Sequence, residues 1–362
     1  MFKFNELRQV HLEISSRCQA ACPMCARNIH GGIENPSLKV NDWTFEDFVR
    51  IFENVVTQIN VFTFCGSFGD PIFNKDLPSM LEYIKKHNEH ARVNLYTNGS
   101  LRSTEWWKEL VTVLPTNHNV VFGIDGLEDT HSLYRVGTDF DKIIDNAYDF
   151  IQAGGTAEWA FLRFKHNQHQ VAAAQELANE LGFKKFTAKN TRRFTKNKFP
   201  VVNRQGTVTH LLEQPTDTVI EIVDKRLLDS TYPEWATTKD IHCGVQKEKD
   251  VYIDANYTVM PCCFLSSFMY TSYDKSILEK YNLYDDTSVN DMGLKIKTQV
   301  WELVNELGGL AALDARQGLQ SIIDSPQWQS IWQDKWNNNG SLTCGLLCSS
   351  ASPFISLAEQ NV

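Results

Sequence analysis

Short apolar segments alternate with segments of helical periodicity over the first half of this 362-residue chain, and that alternation limits the fold more than any other feature. The apolar segments predict strands at 10–14, 61–65, 92–96, 119–124, 157–164 and 184–187. The periodic segments between them predict helices at 45–59, 77–84, 105–114, 140–151 and 168–181. Strands that alternate with helices form a parallel sheet with crossover helices. We therefore expect an α/β fold, either doubly wound or curved into a barrel.

The alternation stops near residue 200. A hairpin is predicted at 251–261, and helices are predicted at 294–307 and 327–336. This change of pattern predicts two domains: an α/β domain at 1–200 and a smaller α+β domain at 201–362.

Charge and hydropathy exclude several classes of protein. The net charge of −9 argues against a protein that coats nucleic acid. No apolar stretch is long enough to span a bilayer, and the N-terminus lacks the apolar core of a secretory signal. We expect a cytoplasmic protein. The basic run at 189–198 is either a solvated loop or a contact for an anionic substrate or a phosphate backbone.

Eight of the nine cysteines fall into two groups. In a reducing compartment, clustered cysteines indicate metal or redox chemistry rather than disulfides. The first group is Cys18, Cys22 and Cys25, on the loop that follows the first predicted strand. Ligand sites of parallel α/β sheets lie at this carboxyl end of the strands. Cys65 stands apart on an apolar strand and is expected to be a buried core thiol.

Three thiolates suit an open metal site. They can hold three irons of a [4Fe–4S] cube and leave the fourth iron free for a small molecule. An open coordination position distinguishes a catalytic metal site from a structural one. The alternative is a zinc knuckle that a distant residue completes.

The second group has five thiols: Cys243, Cys262, Cys263, Cys344 and Cys348. Four thiolates can close a second [4Fe–4S] cluster. Neighbouring strand residues point to opposite faces, so we expect Cys262 as a ligand and Cys263 as a small buried apolar residue. A structural zinc site with four cysteines is the alternative.

Further motifs accompany the first cysteine group. Its Cys-x3-Cys-x2-Cys spacing resembles the radical S-adenosylmethionine (SAM) superfamily, with Met24 where an aromatic residue is frequent. The strand ends resemble the family's Gly-Gly-Glu-Pro, Thr-Asn-Gly, Ser-Ile-Asp-Gly and Arg-x-Gly motifs, followed by an asparagine. The corresponding runs are Gly69-Asp70-Pro71, Thr97-Asn98-Gly99, Gly123-Ile124-Asp125-Gly126, Arg135-Val136-Gly137 and Asn167. Phe68 replaces the first glycine of the first motif, and Gly123 replaces the serine.

The resemblance implies a partial (β/α)6 TIM-like barrel and a [4Fe–4S] cluster held by Cys18, Cys22 and Cys25. It also implies a SAM site formed by Gly69, Asp70, Pro71, Asn98, Asp125 and Arg135. In the family, the turn at Asp70 holds the amino group of SAM. The guanidinium of Arg135 suits the SAM carboxylate, because it makes paired charge-assisted hydrogen bonds.

The second group resembles the twitch domain, a shortened relative of the SPASM auxiliary-cluster domain. That domain carries Gly-x4-Cys on a hairpin, and here Tyr257 stands where the glycine is expected. The resemblance implies a second, auxiliary [4Fe–4S] cluster held by Cys243, Cys262, Cys344 and Cys348.

The resemblance implies a reaction as well. The reduced cluster cleaves SAM to a 5′-deoxyadenosyl radical, which abstracts hydrogen from a substrate carbon. The auxiliary cluster takes the second electron, so the net reaction is a dehydrogenation. A flavodoxin or ferredoxin supplies the first electron. No residue is assigned as the general base.

The substrate is open between a small molecule and a peptide. Only seventeen residues precede Cys18, which mildly favours a small molecule. The alternatives are an enzyme that cross-links or matures peptides, an RNA-modifying enzyme, and a non-catalytic protein that binds zinc or an iron–sulfur cluster.

Overall fold

The structure is a computed structural model that describes residues 1–191, 193–194, 198–217, 241–271, 279–280, 287–337 and 341–348. The chain divides into two compact units. The first, which we call the sheet unit, is Leu12–Ile222. The second, the C-terminal unit, combines Met1–His11 with Val223–Val362. The division into functional domains at residue 200 stays a prediction.

The sheet unit is built on parallel strands, as the alternation predicts. The strands up to this unit's end are β1 (Gln9–Leu12), β2 (Asn28–Ile29), β3 (Ile33–Glu34), β4 (Val61–Phe64), β5 (Arg92–Thr97), β6 (His118–Gly123), β7 (Ala157–Arg163), β8 (Lys185–Asn190), β9 (Lys198–Val202) and β10 (Val208–Glu213). Strands β4 to β8 pair in sequence order, all parallel. At the end of β1, the carbonyl oxygen of Leu12 accepts a hydrogen bond from Cys65 N at 3.1 Å. Two antiparallel pairs, β2 with β3 and β9 with β10, stand outside this sheet.

Helices connect the parallel strands, and the longer ones lie at the predicted places. They are α1 (Phe45–Phe52), α2 (Leu77–His87), α3 (Thr104–Val113), α4 (His131–Tyr134), α5 (Phe140–Gln152) and α6 (Val171–Leu181). Thr44 caps α1, since its hydroxyl accepts from Asp47 N at 3.1 Å. That helix ends seven residues before the predicted end at Ile59, and a short 3-10 turn follows it. The α/β fold with a parallel sheet is therefore confirmed.

The two faces of the parallel sheet differ in chemistry. One set of alternating residues is fully buried and apolar: Phe62, Phe64, Val93, Leu95, Phe122, Trp159 and Phe161. Several residues between them on the strands are half-buried and more polar, among them Thr63, Tyr96 and Glu158. Cys65 is half-buried, so it is not the core thiol that the sequence suggests. Burial and the neighbouring Cys65 and Glu158 raise the pKa of Tyr96 to about 12.

The C-terminal unit contains the predicted hairpin and helices. Its elements are β11 (Asp250–Ile253), β12 (Val259–Met260), α7 (Gly244–Glu248), α8 (Cys263–Tyr270), α9 (Thr287–Glu306), α10 (Leu319–Ile323), α11 (Pro326–Asn337) and α12 (Leu342–Cys348). Strands β11 and β12 pair antiparallel. In the part of the chain that the structure describes, no helix is long and apolar enough to cross a membrane.

The hairpin turn explains how Tyr257 occupies a position where the resemblance expects glycine. Its φ is +67°, in the left-handed region that glycine adopts at little cost. The Asp254 carboxylate accepts from Asn256 N and Thr258 N, both at 2.8 Å, and fixes the turn on either side. The guanidinium carbon of Arg316 lies 4.3 Å from the centre of the Tyr257 ring, a cation–π contact. These contacts hold a non-glycine residue in the turn.

A buried histidine links the end of β6 to the segment behind α4. Asp125 N donates to His131 Nδ1 at 3.2 Å, and His131 Nε2 lies 2.9 Å from Thr138 Oγ1. The first bond requires an unprotonated Nδ1. Burial and the nearby charge of Arg135 lower the pKa of His131 to about 3.

We predict that His131 makes the protein less stable in mild acid. The unfolded histidine has a pKa near 6.5, so between about pH 6.5 and pH 3 protons bind the unfolded chain first. The free energy of unfolding then falls by at most about 1.4 kcal/mol per pH unit on account of this residue. Urea unfolding of the wild type and of His131→Gln should therefore give a difference in stability that shrinks as the pH falls from 7.5 to 5.5.

The exposed His90 supplies the control. The difference between the wild type and His90→Gln should not change over the same pH range. A constant difference for His131→Gln as well would contradict the prediction.

Candidate active site

The first cysteine group lies on the loop after β1. Cys22 is buried, whereas Cys18 and Cys25 are half-buried. Cys25 N donates to the Cys22 carbonyl at 3.0 Å, which makes a tight turn between the last two cysteines. Among the described residues, no three His, Cys, Asp or Glu side chains are grouped as ligands of one metal ion. The thiolates of a cluster bind different irons, so its fit depends on the donor set and on the surroundings.

Two N–H donors approach the sulfurs of this loop. Asn98 Nδ2 lies 3.5 Å from Cys18 Sγ, and Arg135 Nη1 lies 3.9 Å from Cys22 Sγ. Burial raises the pKa of Cys22 to about 11, and the Arg135 charge opposes that rise. Thiols with raised pKa values lose their protons when a metal cation binds. Donors directed at sulfur fit thiolate ligands of an iron–sulfur cluster.

An apolar cluster surrounds the cysteine loop. Its fully buried members besides Cys22 are Ala20, Met24, Tyr134, Phe164, Phe194, Val201 and Leu212. Val201 and Leu212 belong to the β9–β10 hairpin, which also contacts the loop through a stack between Phe199 and His30 with ring centres 4.4 Å apart. Such surroundings keep water away from the sulfurs, which influences the potential of a bound cluster.

The Gly69-Asp70-Pro71 turn connects the ends of β4 and β5. Asp70 caps the short 3-10 turn Pro71–Phe73 by accepting from Ile72 N at 3.2 Å. Its other carboxylate oxygen accepts from Asn98 N at 2.8 Å, Asn98 Nδ2 at 2.6 Å and Thr97 Oγ1 at 3.1 Å. Burial raises the pKa of Asp70, and these donors oppose the rise. Asp70 thus fixes Asn98 next to Cys18.

Sequence reasoning missed Glu13, which anchors the same turn. Its carboxylate is buried and accepts from Phe68 N at 2.7 Å and Gly69 N at 2.9 Å. A Cβ atom on Gly69 would lie 1.9 Å from the carbonyl oxygen of Ser15, so only glycine fits there. A glutamate between two apolar residues of a buried strand was the available signal, because a buried charge needs specific partners.

Asp125 is buried and forms an ion pair beside the end of β6 with Arg135, whose side chain is 21% exposed. Arg135 Nε donates to Asp125 Oδ2 at 2.6 Å, and Leu162 N donates to Asp125 Oδ1 at 2.5 Å. Burial raises the pKa of Asp125, and the Arg135 charge opposes the rise. Burial lowers the pKa of Arg135, but the charges of Asp125 and Cys22 raise it by a larger amount. The guanidinium therefore stays cationic beside Cys22.

Two more residues complete this edge of the sheet. The buried Asn167 accepts from Phe164 N at 2.7 Å and donates to the carbonyls of Asp125 at 3.2 Å and Leu162 at 2.9 Å. It therefore ties the end of β7 to the residues after β6. Arg193 lies in the basic run at 189–198. It donates from Nη1 to the Met24 carbonyl at 3.1 Å, a contact that the sequence pattern does not predict. Its neighbours 192 and 195–197 lie outside the described residues.

Thiols of the second cysteine group interact electrostatically within the C-terminal unit. Burial raises the pKa of Cys262, as do the neighbouring Cys263, Cys344 and Cys243. Burial and the thiols of Cys344, Cys243 and Cys263 also raise the pKa of Cys348. Cys348 O accepts from His242 N at 2.7 Å, which joins the end of α12 to the segment before Cys243. Cys263 begins α8 and is half-buried, so the expectation of a buried apolar residue does not describe it.

Several solved structures resemble this chain at low sequence identity. SuiB of Streptococcus suis bound to S-adenosylmethionine is 14% identical, with a TM-score of 0.47, and the match covers 88% of this chain and 78% of SuiB. The structure of anSMEcpe with bound AdoMet and Cp18Cys peptide is 15% identical, with a TM-score of 0.47 and coverage of 98% and 99%. BtrN in complex with AdoMet and 2-DOIA is 11% identical, with a TM-score of 0.43 and coverage of 95% and 93%. All three TM-scores are below 0.5.

One relative resembles part of the sequence. The tungsten-containing aldehyde ferredoxin oxidoreductase cofactor-modifying protein of Pyrococcus furiosus is 28% identical over 128 residues. The match covers 32% of this chain and 33% of that protein, so the chain spans about a third of the length of this relative.

A family model matches part of the sheet unit. Residues 12–162 match the model of the Radical SAM superfamily. The matched stretch contains the three cysteines of the loop and the turns at Asp70, Asn98, Asp125 and Arg135 that surround it. Over residues 12–162 the chain is therefore similar to a radical SAM domain.

Proposed function

We propose that this protein is a radical SAM oxidoreductase that dehydrogenates its substrate. One observation carries the proposal: the cysteine loop, the acidic turn and the Asp125–Arg135 pair converge, with N–H donors 3.5 Å and 3.9 Å from two of the sulfurs. The three thiolates would hold a [4Fe–4S] cluster with one open iron. When bound, the cluster and SAM supply one-electron chemistry and hydrogen abstraction.

The chain's own residues would bind and orient SAM. Arg135 would hold the SAM carboxylate, because its guanidinium forms charge-assisted hydrogen bonds. Asp70 would accept from the SAM ammonium through Oδ1, which accepts only the bond from Ile72 N among the described residues. Its Oδ2 is occupied by Asn98 and Thr97. Gly69, Pro71, Asn98 and Asp125 would shape the remaining contacts.

The substrate would lie on the more polar face of the parallel sheet. Tyr96 and Glu158 on neighbouring parts of this face interact electrostatically, and both are half-buried. Such groups suit a molecule with hydroxyl or amino groups, which favours a small polar molecule or a polar peptide segment. The apolar cluster around the cysteine loop would exclude water from the reacting groups.

The C-terminal unit would hold an auxiliary [4Fe–4S] cluster through Cys243, Cys262, Cys344 and Cys348. Electrostatic interactions among these thiols support a shared site. A fully ligated cluster has no position for SAM, so its role would be to accept the second electron of the dehydrogenation. A flavodoxin or ferredoxin would supply the first electron. We expect this enzyme and its electron donor to be cytoplasmic.

We predict that the loop cysteines are needed for SAM cleavage. After anaerobic reconstitution the wild type should bind about eight irons, the content of two [4Fe–4S] clusters. With SAM and dithionite it should release 5′-deoxyadenosine. Cys22→Ala should lose about four irons and release no 5′-deoxyadenosine.

Cys65→Ser is the matched control, because it replaces a thiol outside both groups. It should keep both the iron and the release of 5′-deoxyadenosine. Zinc in both sites of the wild type, or iron without SAM cleavage, would instead indicate a non-catalytic metal-binding protein.

For the auxiliary site, Cys348→Ala should lower the iron content from about eight to about four and leave SAM cleavage intact, since the remaining cluster is the open one. Iron analysis and 5′-deoxyadenosine release measure the two effects. Parallel Cys262→Ala and Cys263→Ala variants identify which neighbouring thiol is the ligand. An unchanged iron content in Cys348→Ala would show that the ligand set is wrong.

A further inference from the structure

The last residue of β6 is a glycine for a steric reason. A Cβ atom on Gly123 would lie 2.4 Å from Arg135 Nη2 and 3.0 Å from Arg135 Cζ. Real Cβ atoms do not approach other heavy atoms this closely, so a side chain here requires the guanidinium to move. The φ angle of Gly123 does not lie in the left-handed region, so the backbone itself would accept alanine. Arg135 occupies the volume of the missing side chain.

The guanidinium is fixed where it lies. Arg135 Nε donates to Asp125 Oδ2 at 2.6 Å, and the other oxygen of Asp125 is held by Leu162 N at 2.5 Å. The backbone of Arg135 is bonded on both sides, since its N donates to His131 O at 2.9 Å and its O accepts from Thr138 Oγ1 at 2.7 Å. A methyl group on Gly123 must therefore strain or break the pair with Asp125.

The same placement brings the positive charge to the cysteine loop. Arg135 Nη1 lies 3.9 Å from Cys22 Sγ while Nη2 faces Gly123. The guanidinium thus lies in a slot bounded by Gly123, Asp125 and Cys22. A shift away from Gly123 changes the distance between Nη1 and the sulfur, and with it the position from which the guanidinium reaches an anion.

We propose that Gly123 is a positioning residue whose missing side chain forms the slot for Arg135, so that the guanidinium binds the SAM carboxylate at the place where the resembling motif has serine. The inference rests on the proposed function, because SAM is its ligand. It goes further in assigning the anion-binding role at the end of β6 to a matched glycine–arginine pair.

A double-mutant cycle tests this pair on the anaerobically reconstituted full chain. The variants are Gly123→Ala, Arg135→Ala and the double variant, and equilibrium dialysis gives the Kd for SAM. Gly123→Ala should weaken SAM binding by about tenfold or more, the loss of one charge-assisted hydrogen bond. Arg135→Ala should weaken binding at least as much. The double variant should bind like Arg135→Ala, because the added methyl group acts only through the guanidinium.

Iron content and thermal stability separate positioning from general damage. Gly123→Ala should keep its iron, because no cysteine is changed. If Gly123→Ala fails to fold and the double variant folds, the clash with the guanidinium is demonstrated and the proposal is supported. If Gly123→Ala and the double variant both fail to fold while Arg135→Ala folds, the glycine is needed for another reason and the proposal is wrong.

Two binding results overturn the inference and leave the proposed function intact. In one, Gly123→Ala binds SAM as the wild type does while Arg135→Ala is impaired. In the other, the losses of the two single variants multiply in the double variant, which means that the residues act independently. A wild type that binds no SAM overturns the proposed function itself, and the inference with it.

Discussion

The partly buried pair between Asp125 and Arg135 is the interaction on which the rest of the candidate site depends. Two charges taken out of water are stable only when they are close together and otherwise hydrogen-bonded, and both conditions hold here. The Asp125 carboxylate accepts a hydrogen bond from Leu162 N near the end of β7, and its guanidinium partner reaches Cys22. One ion pair therefore connects two strand ends of the sheet to the cysteine loop. Removing either partner would leave an uncompensated buried charge and disturb all three.

Two other buried carboxylates at this edge of the sheet accept hydrogen bonds from backbone amides and so fix the turns there. Glu13 holds the amides of Phe68 and Gly69, and Asp70 holds the amide and side chain of Asn98. Hydrogen bonds to ionised carboxylates are stronger than those between neutral groups. The geometry around the thiols is thus held by carboxylates that are themselves buried. This preorganisation is what a site needs if its ligand is to be oriented within a fraction of an ångström.

Much of this arrangement follows from the sequence, because it depends on local patterns. The alternation of strands and helices predicts the parallel sheet, and the turn motifs predict which strand ends carry polar groups. What the sequence does not contain is the partner of each group across the sheet. Glu13 looks like an irregularity in a strand until its two amide donors are known, and Gly123 looks like a missing hydroxyl until Arg135 is seen in its place. Tyr257 departs from a glycine pattern and still adopts a positive φ, because Asp254 and Arg316 support it.

The two cysteine groups differ in the charges around them, and that difference bears on what each can bind. Near Cys22 the opposing influence on the thiol pKa is a guanidinium, which also attracts anionic ligands. Around Cys262 the neighbouring charges that raise the pKa come from other thiols. Thiols crowded in this way become thiolates together only when metal cations neutralise them. A carboxylate-bearing cosubstrate therefore fits the open site that we propose at the first group, where the guanidinium lies, while the second group would suit the proposed cluster that the protein ligates completely.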